Sequence, residues 1–67
     1  MIIRVNGQER ELQEQCATIG DLLSSLGVRR ERVAVELNGI IVDPVSFATT
    51  RVSDGDRIEI VSFVGGG

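Results

Sequence analysis

Few residues of this sequence could do chemistry, and the foremost are the last three, Gly65-Gly66-Gly67. A C-terminal carboxylate is a weak nucleophile. It can attack the α-phosphate of ATP when another protein holds both and excludes water. The acyl-adenylate so formed has a reactive carbonyl carbon. Glycine suits such a site, because a tail without Cβ atoms can thread a narrow channel and approach a nucleotide closely. Taken alone, the same glycines also fit a frayed terminus, a linker or a tag remnant.

The other candidates are weaker. Cys16 stands just before a helix N-cap, where a helix N-terminus can lower a thiol pKa and suit a persulfide. The burial habit of free cysteine favours a small packing residue there instead. Asp54 and Asp56 flank Gly55, and two carboxylates on one loop suit turn hydrogen bonding better than a metal. Glu14, Asp21, Glu36, Asp43 and Glu59 show no pairing that suggests acid–base work. Val61 and Phe63 share one face of the last strand. That face is an expected docking surface if a single helix covers the other; the alternative folds Phe63 into the core.

Composition excludes much else. The chain has 67 residues, 7 basic and 10 acidic, for a net charge of −3. All the basic residues are arginine, and there is no histidine, tyrosine or tryptophan. Without histidine there is no Ser-His-Asp or Cys-His machinery. One cysteine and no histidine cannot build the usual zinc ligand set. One cysteine cannot form an internal disulfide, which fits a reducing, cytoplasmic setting. The acidic balance and scarce aromatics argue against nucleic acid. No apolar stretch approaches the ~18 residues of a membrane span, and no signal-peptide pattern opens the chain. A chain this short buries only about 60% of its unfolded surface, which leaves little room for a deep cleft.

The elements that must position these residues are legible from spacing. Met1 to Val5 reads as a strand, Asn6-Gly7 as a two-residue hairpin turn, and Gln8 to Leu12 as a polar return at a sheet edge. Thr18 and Asp21 have capping-box spacing. Ile19, Leu22, Leu23 and Leu26 line one helical face, and Gly27 suits the left-handed C-terminal cap, with Val28 packing back. A helix over 18–26 follows. Arg29 to Arg32 reads as a solvated connector. Val33, Val35 and Leu37 alternate as a half-buried strand; Asn38-Gly39 turns it, and Ile40 to Val42 returns. Pro44 ends that strand. Val45 to Thr50 suggests one helical turn carrying Phe47 inward, Ser53 to Asp56 a tight turn, and Arg57 to Phe63 the last strand. The first and last strands are the most apolar on both faces, which places them centrally. The expectation is one α+β domain over 1–67, a mixed sheet with one main helix on one face and a flexible tail over 64–67. This is the ubiquitin-like β-grasp arrangement.

The segments Val5-Asn6-Gly7, Ala17-Thr18 with Asp21-Leu22-Leu23, and Val35-Glu36-Leu37-Asn38-Gly39 with Ile41-Val42 occur in that order. They are followed by Asp54 to Val61 and the ending Val64-Gly65-Gly66-Gly67. Together they resemble the bacterial thiamine-biosynthesis sulfur carrier (ThiS) family over nearly the whole chain. The chain is also similar to the molybdopterin-synthase small subunit. That family usually runs longer and tends to carry prolines shortly before its Gly-Gly, so the ending here favours the thiamine branch. The resemblance implies a protein co-substrate, not an enzyme. A ubiquitin-activating-type adenylyltransferase would adenylate the Gly67 carboxylate, consuming ATP and Mg²⁺, with no cofactor held by the chain itself. A persulfide sulfur donor would displace AMP and leave a thiocarboxylate on Gly67, with Gly65 and Gly66 threading the tail. The sulfur would pass to thiazole synthase. Other biosynthetic sulfur carriage, or a binding module resembling the TGS domain in which Gly67 has no covalent role, are the alternatives.

Overall fold

Alternating apolar residues and two Asn-Gly turns build the sheet. A computed structural model describes residues 1–15 and 17–63. Its strands are β1 (Ile2–Val5), β2 (Gln8–Glu11), β3 (Val33–Leu37), β4 (Ile40–Val42) and β5 (Arg57–Ser62), and its helix is α1 (Ile19–Ser25). Short 3₁₀ turns cover Arg30–Arg32 and Pro44–Ser46. The strand order is β2-β1-β5-β3-β4. β1 and β5 run parallel at the centre, and each hairpin lies outward of one of them. At the turns Asn6 and Asn38 have φ of 51° and 52°, and Gly7 and Gly39 follow at 81° and 85°. Both are positive-φ pairs whose twist suits a two-residue hairpin.

Both ends of α1 form as their residues dictate. Thr18 Oγ1 accepts from Asp21 N at 3.1 Å, and Asp21 Oδ2 accepts from Thr18 N at 3.2 Å, completing the capping box. At the other end Val28 N donates to Leu23 O and Gly27 N to Ser24 O, at 3.0 and 3.1 Å, the paired bonds of a Schellman cap. Ile19, Leu22 and Leu23 are buried in one cluster with Ile3, Val5, Val33, Val35 and Ile58. Phe47 enters the same core from just after the Pro44–Ser46 turn and is fully buried, as the reading of that segment anticipated.

Three expectations need correction. β1 and β5 are central but are not buried on both faces: Ile3, Val5 and Ile58 are inward, while Ile2 and Val61 are exposed. One short helix covers only one side of the sheet, so centrality here does not bring two-sided burial. β2 stops at Glu11, and buried Leu12 lies just beyond it, its N–H bonded to Met1 O at 2.8 Å. β5 stops at Ser62 rather than Phe63.

Candidate functional site

The site is built around the end of β5. In its last turn of pairing, Val61 lies opposite Ala34 and Ser62 opposite Val33. Phe63 N then donates to Arg32 O at 2.8 Å, so the backbone is held to the sheet one residue past the strand. Val61 and Phe63 are 59% and 56% exposed. Phe63 therefore does not fold into the core. Ile41, 73% exposed on the neighbouring hairpin, belongs to the same outward surface. Phe63, Ala34, Ile41 and Pro44 line an open groove of about 300 Å³, to which Arg30 and Glu31 contribute the charged groups. Arg30 is fixed there. Its Nη2 donates to Pro44 O at 3.0 Å, and its guanidinium carbon lies 5.7 Å from the centre of the Phe47 ring, within cation–π range. The expected solvated connector is thus exposed but tied down.

Two asparagines missed as site-forming residues hold β5 in place. Asn6 Oδ1 accepts from Ile60 N at 2.7 Å, and its Nδ2 donates to Ile60 O at 3.0 Å. Asn38 Oδ1 accepts from Arg57 N at 2.9 Å, and its Nδ2 donates to Asp56 Oδ1 at 3.0 Å. Asp56 Oδ2 in turn accepts from Ser53 N at 2.7 Å, a bond within the turn. Asp54 reaches further than a turn bond, accepting from Ile2 N at 2.7 Å. Neither aspartate is arranged for a metal, and no group of three or more ligating side chains occurs among the described residues. No helix among the described residues is long and apolar enough to cross a membrane. Gly65, Gly66, Gly67 and Cys16 lie outside the described residues.

The described part of the site is therefore a hydrogen-bonded strand end beside an apolar groove. Among the described residues it assembles no acid–base pair. The ThiS family model matches residues 3–67. The chain belongs to the ThiS family. The sulfur carrier protein ThiS of Bacillus subtilis is 36% identical over 66 residues, which are 98% of this chain and 100% of that protein. The crystal structure of a thiamine biosynthesis protein (ThiS) from Geobacter metallireducens aligns with a TM-score of 0.85 at 39% identity, covering 100% of both chains. The β-grasp expectation is borne out by this ThiS structure and by the strand order. A thiazole synthase of Paramagnetospirillum magneticum is 46% identical over 67 residues. This ThiS-family chain spans only 20% of the length of that relative.

Proposed function

We propose that this chain carries sulfur for thiamine biosynthesis as a thiocarboxylate on Gly67. The observation that carries the reading is the family match, which runs through the terminal glycines. Near full-length similarity to a protein named as a sulfur carrier supports it. The family is one of small carriers, not catalysts, and the chain acts as a co-substrate. A ubiquitin-activating-type adenylyltransferase binds MgATP and the tail. The Gly67 carboxylate attacks the α-phosphorus and pyrophosphate leaves. The outer sulfur of a persulfide donor then attacks the carbonyl carbon and AMP leaves. Reduction of the remaining S–S bond by a thiol frees the thiocarboxylate, which passes its sulfur to thiazole synthase. A relative named thiazole synthase that includes a segment like this chain supports that acceptor. The reading assigns the chain to the cytoplasm, a reducing compartment that suits its lone cysteine.

Val61 and Phe63, with the groove beside them, are the surface we assign to the adenylyltransferase. Gly67 lies four positions beyond Phe63, a reach of at most about 14 Å. An enzyme that adenylates Gly67 must therefore close over the end of β5. Intact-mass measurement after incubation with ATP, the cognate adenylyltransferase and a sulfur source tests the reading. The expected product has one oxygen exchanged for sulfur. Appending one residue after Gly67 should abolish the exchange by removing the reacting carboxylate. Exchange that survives the added residue, or none in the parent chain, overturns the assignment. A binding module would tolerate the added residue without change in its interactions.

A further inference from the structure

Both hairpin turns are Asn-Gly, and both asparagines spend their side-chain amides on the segment leading into or along β5. Asn-Gly is also the dipeptide most open to deamidation. Glycine has no Cβ to keep its own nitrogen from the preceding Cγ. We propose that Asn6 and Asn38 are modification sites, shielded by these clasps in the folded chain, at which conversion of amide to carboxylate releases β5.

The chemistry needs only water. The backbone nitrogen of Gly7 or Gly39 loses its proton and attacks the asparagine Cγ. The bond from Cγ to Nδ2 breaks, ammonia leaves, and a succinimide ring remains. Water opens the ring at either carbonyl, giving an aspartate or an isoaspartate. One water is consumed for each ammonia released, and nothing is oxidised or reduced. In the folded chain both polar atoms of each amide are engaged, so Cγ cannot turn toward the next nitrogen without breaking two hydrogen bonds.

The damage differs between the sites. At Asn6 the donor to Ile60 O is lost, and an anionic oxygen takes its place against that carbonyl. At Asn38 the new carboxylate stands where a donor stood, 3.0 Å from Asp56 Oδ1. Like charges at that separation repel. Asp56 is not free to turn aside, because its other oxygen accepts from Ser53 N at 2.7 Å. An isoaspartate at either site adds a backbone methylene to a two-residue turn and disturbs the register that the turn sets.

The first test holds the full chain in mildly alkaline buffer, folded or in urea, and follows amide loss at each Asn-Gly by peptide mass mapping. Both sites should convert in urea. In the folded chain each should convert on the order of 30-fold more slowly, the factor for two hydrogen bonds that must break first. Equal rates in the two states overturn the shielding. The second test compares denaturant midpoints for Asn38→Asp and for the swap Asn38→Asp/Asp56→Asn. The swap keeps the net charge of −3 and sets an amide donor at 56 against a carboxylate at 38. Asn38→Asp should lower the folded-to-unfolded ratio by about tenfold or more, and the swap should restore most of it. A single variant as stable as the parent, or a swap no better than the single variant, overturns the release. Should the single variant fail to fold, folding of the swap decides for the proposal and its failure decides against.

Discussion

Thr18 and Asp21 close a small ring at the start of α1, with Asp21 Oδ2 also accepting from Ala17 N at 3.2 Å. Replacing Thr18 with alanine removes one half of that ring. We expect a loss of about 1 kcal/mol in unfolding free energy, read from the urea midpoint. A midpoint that stays put would mean that the backbone bond from Leu22 N to Thr18 O already suffices. The ring is legible in the sequence because its partners sit within four residues of one another. Asn6 shows the opposite case. Its preference for positive φ identifies the turn, but its second role needs Ile60, which is 54 positions away. No local pattern encodes that pairing. Gly20 has a similar account. Its N–H donates to Phe47 O at 2.9 Å, and a Cβ would stand 3.4 Å from that oxygen. That is ordinary contact, so the space at this position admits a Cβ.

At the scale of elements, α1 has only seven residues, too few to persist without the sheet beneath it. What fixes it is shared burial. The segment after β4 contributes the largest fully buried side chain among the described residues. Asp43 caps the Pro44–Ser46 turn through a bond from Val45 N at 3.1 Å, and the turn delivers Phe47 to full burial beneath the helix start. Phe47→Ala should cost roughly 3–5 kcal/mol, a large share of what a small domain has to spare. Loss of a cooperative thermal transition, or a midpoint shift of that size, is the expected result. A cost under about 1 kcal/mol would mean that the core closes over the gap. The inward Phe47 is readable because the chain has only two large aromatic side chains and the other lies at the strand end. The central place of β1 and β5 is readable too, though the reason differs. Their apolar residues are not all buried. Ile2 and Val61 point to the uncovered side, which the strand pattern alone reports as a second buried face.

That uncovered side gives the whole molecule its polarity. Across its middle, Arg4 pairs with Arg57 and Glu36 with Glu59. Like charges directly opposite one another destabilise a sheet, so this region keeps water rather than a neighbour. Toward the end of β5 the same face turns apolar, through Ala34, Val61, Phe63 and Ile41. Among the described residues, this apolar stretch of the face thus adjoins the residues that lead to Gly67. Phe63→Ala should leave the unfolding free energy within about 0.5 kcal/mol of the parent, since a half-exposed side chain holds little of the core together. Its affinity for the adenylyltransferase we propose as partner should fall about 30-fold, the loss of an aromatic anchor worth about 2 kcal/mol. Ile2→Ala, at the far end of the same face, serves as the comparison and should bind as the parent does. Titration calorimetry separates the outcomes. Equal losses for the two variants would mean that the whole face docks. No loss for Phe63→Ala would mean that the enzyme grips the tail alone, and the groove beside β5 would have no part in recognition.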